Sequence, residues 1–206
     1  MTTVATSTAY DQLIQHCKES TLMGTTTGLL HWDREVNMPP KGIDYRSEQI
    51  ALGARMYHEM MTAPKVSDLL EACESDSELM SDPLSDAAVN VRETRHDYDR
   101  ATKLPTELVE EEAKISSKAQ HAWATARKDD DFSSFQPYLE KIVDLLQRKA
   151  DCYGWAEGGE PWDALAEDYE PGCTAASVSE VFTPLRKQLQ SLLDELMGSE
   201  TSPSNA

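Results

Sequence analysis

In nearly every segment of this 206-residue chain apolar residues recur three and four positions apart, and no stretch sustains the alternation of a half-buried strand. That period places apolar side chains on one face of a helix and leaves no pattern from which a sheet could be built. The expected fold class is therefore all-α, a multi-helix array of about seven helices.

The stripe Tyr10, Leu13, Ile14 and Cys17 marks a first helix from about Thr8 to the run Thr25-Thr26-Thr27, and Met38-Pro39-Pro40 then breaks the chain because proline lacks the N–H donor and disfavours helix before it. A second helix, Ile43 to Met61, is expected to turn Ile50, Ala54, Tyr57 and Met61 inward. A short third helix spans Val66 to Cys73, and the acidic, serine-rich run from Cys73 to Pro83 reads as a linker. Pro83 is expected to open a fourth helix with Leu84, Ala88, Val91 and Tyr98 as its stripe. Leu104-Pro105 introduces a fifth, reaching about Lys128, whose Leu108, Ile115, Ala119, Ala122 and Ala126 are small enough for close helix approach. Beyond Asp129-Asp130-Asp131 a sixth helix carries Phe135, Leu139, Ile142, Leu146 and Tyr153, and Gly154 ends it. The segment Ser177-Val178-Ser179-Glu180 reads as a capping box opening a last helix. There Val178, Phe182, Leu185, Leu189, Leu192 and Leu196 form a seam that needs a partner, by default a neighbour in the same chain. The expected organisation is a disordered, threonine-rich start at 1–9, one helical domain over 10–197, and a polar tail at 198–206.

Charge narrows the partners. With 37 acidic against 19 basic side chains the net charge of −18 repels phosphate backbones and anionic headgroups, so neither nucleic acid nor a membrane surface is expected as a partner. No apolar run reaches the about 18 residues that span a bilayer, and the start of the chain has no charged-then-apolar signal pattern. Cys17, Cys73, Cys152 and Cys173 lie far apart with no Cys-x-x-Cys pair, which fits reduced thiols in the cytoplasm.

Catalytic chemistry is present only in fragments. His58-Glu59-Met60-Met61-Thr62 begins like His-Glu-x-x-His, the helical arrangement in which two histidines bind zinc and the glutamate acts as base, but Thr62 occupies the second ligand position. A neutral hydroxyl is a poor substitute where about three protein ligands are needed, so His58 and Glu59 are expected to be ordinary residues of a partly exposed helix. Glu93-Thr94-Arg95-His96 is a single copy of the Glu-x-x-His pair that di-iron bundles use twice. His31 and Glu35 are four apart but approach Pro39, where continued helix is not expected. Arg92, Arg95, Arg100 and Lys103 form the most basic stretch, interleaved with Glu93, Asp97 and Asp99 in a self-neutralised pattern. No serine elbow, paired cysteine nucleophile or phosphate-binding glycine loop occurs. The residues assign no catalytic, cofactor-binding or metal-binding position.

Gly28-Leu29-Leu30-His31-Trp32-Asp33, Met38-Pro39-Pro40-Lys41-Gly42 and Arg46 resemble the carboxypeptidase Taq family of zinc metallocarboxypeptidases. The likeness continues in order through Tyr57-His58-Glu59, Arg95, Tyr98, Leu104-Pro105, Trp123, Phe135, Asp163-Ala164-Leu165 and Tyr169-Glu170-Pro171-Gly172. Trp162 stands where the family pattern has tyrosine. The resemblance covers roughly residues 10 to 197 and implies the amino-terminal helical part of an enzyme that binds one divalent metal, zinc or another, and removes single residues from peptide C-termini. The family's His-Glu-x-x-His helix lies beyond the matched part, so the resemblance carries over no metal or catalytic residue and implies a truncated, inactive chain with no cofactor of its own. The alternative is a short helical interaction module forming a homo-oligomer.

Overall fold

Thr8 opens the first helix, α1 (Ala9–Val36), by a reciprocal capping box: its hydroxyl accepts from Asp11 N at 3.1 Å and its own N–H donates to the Asp11 carboxylate at 3.1 Å. The computed structural model describes residues 8–199. Residues 1–7 and 200–206, most of the two segments expected to be irregular, lie outside these. Helix α1 does not stop at the threonine run. Thr25 and Thr26 donate to Leu22 O, and Thr27 to Met23 O, at 2.8–3.2 Å. These bonds satisfy the hydroxyls without breaking the ladder, and the helix reaches Val36, carrying His31 and Glu35 with it.

After a 3-10 turn at Pro40–Gly42 come α2 (Ile43–Met61), α3 (Pro64–Glu74), α4 (Asp86–Ala101), α5 (Thr106–Asp129), α6 (Phe132–Tyr153), α7 (Pro161–Ala166) and α8 (Ala175–Met197). The described residues form eight α-helices and no strand, as the periodicity requires. Starts differ locally. Helix α4 is capped by Ser85, whose hydroxyl accepts from Ala88 N at 3.3 Å; Pro83 and the largely exposed Leu84 precede it. Helix α8 begins before Ser177, with Thr174 as cap and Ser177 as its reciprocal partner. Asp130, at φ 53°, closes α5 in the left-handed region.

Two compact units result, Met1–Tyr153 and Gly154–Ala206. In the first, α2 packs between α1 and α5, α5 packs against α6, and α3 rests on α1 and carries α4. One core lies among α1, α3 and α4, where Leu13, Val66, Leu69, Leu70, Cys73 and Val91 are buried and Tyr98 leans on the cluster. Burying each large aliphatic chain there contributes about 1.5–3 kcal/mol. The α2–α5–α6 side is built from smaller groups. Ile50, Ala51, Ala119, Ala126 and Ala150 are buried, and Ser47 donates across to Ser117 at 3.1 Å, as the small residues of α5 lead one to expect. Ile50 of α2 is buried as expected, but near the end of the helix His58, 7% exposed, takes the inward place expected of Tyr57, which is 39% exposed.

The second unit holds α7 and α8. Asp163 organises it, accepting from Glu160 N at 3.1 Å as part of the α7 cap and from Ala175 N at 2.7 Å at the start of α8. Helix α8 has an interior proline, Pro184, and no buried residue.

Candidate functional site

A groove of about 430 Å3 in the first unit runs over α2 between α1 and α5. Its floor is small because Ala54, Ala113 and Ser117 line it, while His31 and Arg34 supply one wall and Glu112 and Gln120 the other. Partial desolvation, and then the nearby Arg34 guanidinium, hold the His31 imidazole below its ordinary value. Arg34 is paired with Glu35 at 2.7 Å and Glu112 with Lys149 at 3.3 Å. The charges are thus mutually engaged, and the groove offers hydrogen bonds and shape but no activated nucleophile. Its residues come from three helices, one or two per turn, which is why no local sequence signal announces it.

The half motif is structural. His58 Nε2 lies 3.0 Å from Ala101 O, which can only accept, so that nitrogen carries the proton. Nδ1 then accepts from Thr106 Oγ1 at 3.0 Å. Both ring nitrogens are spent on joining α2 to the α4–α5 connection. Thr62 donates to His58 O at 2.8 Å, ending α2, and Glu59 faces solvent beside Arg55 at 3.2 Å. His58 is therefore not the ordinary, partly exposed helix residue expected of it; burial and its two polar partners make it a staple.

Glu93 and His96 do not converge. Glu93 pairs with Arg92 at 3.2 Å, and His96 lies 3.6 Å from Asp97. The basic stretch is neutralised, partly from another helix. Arg95 grips both oxygens of Glu74 at 2.8 and 3.0 Å, Arg100 stacks over Tyr153 at 4.0 Å, and Lys103 donates to Tyr153 O at 3.3 Å. Among the described residues no three His, Cys, Asp or Glu side chains are placed to hold a metal ion. The described residues therefore gather no ligand set for a catalytic divalent metal, and no chemical step is routed through one. Burial pushes the Cys73 thiol up, as for a core residue rather than a nucleophile.

Several residues that carry the family resemblance are architectural. Arg46 of α2 pairs with Asp33 of α1 and also donates to Leu30 O at 3.1 Å and to Gln49 at 2.9 Å. This cross-link clamps the corner at Met38–Gly42. Within that corner a Cβ on Gly42 would press on Met38 Cγ at 3.2 Å. Gly172, at φ 78°, donates to Glu167 at 2.8 Å in the turn before α8.

Comparison with known proteins agrees with this pattern. The family model for carboxypeptidase Taq (M32) metallopeptidases matches residues 12–206. Thermostable carboxypeptidase 1 of Thermus thermophilus is 38% identical over 205 residues, 96% of this chain and 40% of the relative. Its namesake in Pyrococcus furiosus is 33% identical, over 90% of this chain and 36% of the relative. The M32 carboxypeptidase structure from Deinococcus radiodurans superposes with a TM-score of 0.73 at 30% identity, covering 96% of this chain and 38% of that one. The BsuCP crystal structure gives a TM-score of 0.87 at 25% identity, with 95% and 38% covered. The chain thus spans about two fifths of the length of the relatives it matches. With a family match across nearly all of its residues and helices that superpose on solved members, this chain belongs to the carboxypeptidase Taq (M32) metallopeptidase family.

Proposed function

We propose that this chain is the amino-terminal helical part of a cytoplasmic metallocarboxypeptidase that removes single residues from peptide C-termini, and that alone it is inactive. One observation carries the reading: the match covers 96% of this chain but 40% of the relative. The metal, zinc or another divalent ion, belongs in this reading to the part of the enzyme outside the matched region. What the present residues contribute is a wall, with the groove over α2 as part of its surface.

The test is a peptide-hydrolysis assay on the purified chain with added zinc or cobalt, paired with metal analysis after dialysis. The expected result is no release of C-terminal residues and substoichiometric metal. Release that depends on the added ion and disappears with chelator would sink the reading.

A second reading, a helical module that self-associates, is favoured by the exposed seam of α8, where Leu189 is 55% and Leu192 52% exposed. Sedimentation of the isolated chain separates the two, since the module predicts a discrete dimer.

A further inference from the structure

We propose, resting on the function proposed above, that the apolar face of α8 is the surface through which this chain joins the remaining part of an M32 carboxypeptidase, and that a second copy of the chain is not its occupant. Val181, Phe182, Leu185, Leu189, Leu192 and Leu193 are 38–61% exposed, and α8 buries no residue at all. Among the described residues of Gly154–Ala206 only Ala164 and Ala166 are buried. Two alanines are no core, and a unit of this size cannot stabilise a 23-residue amphipathic helix from within.

The shape of the face selects its occupant. At about 100° per residue, Phe182, Leu185, Leu189 and Leu192 lie within an arc of about 80°, the narrow seam of a two-stranded coiled coil. Val181 and Leu193 flank that seam on opposite sides and widen the arc to about 120°, which is the face of a helix touching more than one neighbour in a bundle. A single partner helix would leave those flanks wet. A second copy would also bring another −18 of net charge against the first. The relatives, by contrast, hold additional chain in the same polypeptide, because the matched region is 40% of one and 36% of another. Arg186 lies at the rim of the arc, where its aliphatic stem can cover apolar surface while its guanidinium reaches a carboxylate of the occupant.

The experiment co-expresses the full 206-residue chain with the segment of the Thermus thermophilus carboxypeptidase that lies outside the matched region, tagging only the latter. A one-to-one complex is expected. Changing both Leu189→Asp and Leu192→Asp should lower its recovery by about tenfold or more, because two charges would be buried unpaired, while Leu84→Asp, on an 82% exposed residue, should not. Circular dichroism on each variant alone confirms that the helices persist. A folded wild-type chain that captures nothing overturns the inference. So does a complex indifferent to the double change, although that result leaves the amino-terminal-part reading standing. A discrete dimer of the isolated chain that dissociates on Leu189→Asp identifies a second copy as occupant and overturns it. A monomer whose Tm falls on the same change shows the face packed within its own chain and overturns it equally. Metal-dependent hydrolysis by the isolated chain would instead strike at the underlying reading.

Discussion

His58 and Thr106 are 48 residues apart in the chain and 3.0 Å apart in the structure, joined through Nδ1 and the threonine hydroxyl. With Nε2 held by Ala101 O, the ring ties α2 to the end of α4 as well as to the start of α5. His58→Ala would remove the packed ring and leave a carbonyl and a hydroxyl to find new partners, at a cost of about 3 kcal/mol. Urea unfolding should show this as a lower midpoint with an unchanged slope. His58→Gln, which can reach one partner, should lose less. A loss under about 0.5 kcal/mol for the alanine variant would remove the staple role, since that is the range of ordinary surface changes.

Gly53 faces Thr27 so closely that an added Cβ would overlap Thr27 Oγ1 and stand 3.1 Å from its Cγ2. A branched side chain already bonded to Met23 O cannot swing aside freely. Gly53→Ala gains about 1 kcal/mol of helix propensity, yet overpacking costs about 1–3 kcal/mol, and net destabilisation is expected. In a Thr27→Ala background the same change should become stabilising. Thermal melts of the four members of this cycle measure the coupling; additivity would contradict the close approach of α1 and α2.

Asp131 precedes α6 and accepts from Ser133 Oγ at 2.5 Å and Ser134 N at 3.4 Å. The Ser133 hydroxyl bond first, and the backbone donors after it, hold its carboxyl below the usual range. A carboxyl depressed in the folded state stabilises above its unfolded value, about 3.9, and loses that contribution as pH falls through the folded value. Asp131→Ala should therefore lower Tm at neutral pH, and the gap from wild type should shrink as the solution is acidified below the unfolded value of about 3.9. A gap that stays constant across the titration would mean the cap acts without its charge.

The all-α class and the helix order were legible because period three-to-four patterning survives any tertiary arrangement. Helix ends were less so. The threonine run looked like a stop because β-branched residues disfavour helix, but each hydroxyl found a carbonyl in the preceding turn. On α2 the inward position of Ile50 is legible from the pattern, but that of His58 is not, because His58 scores as polar although its two hydrogen bonds let it sit deeper than Tyr57. The groove over α2 gave no warning, since His31, Ala54 and Gln120 become neighbours only after three helices assemble. Family likeness, by contrast, was readable from the chain, because corner residues are constrained by local geometry as well as by distant partners.

The clamp of Asp33 and Arg46 around the proline corner has an evolutionary corollary. Holding two helices at a fixed bend needs these side chains whether or not the polypeptide performs any reaction, so the part of a sequence that most readily betrays kinship and the part that makes and breaks bonds can answer to separate demands. A genome survey that recognises relatives by the corner alone would count scaffolds and catalysts together.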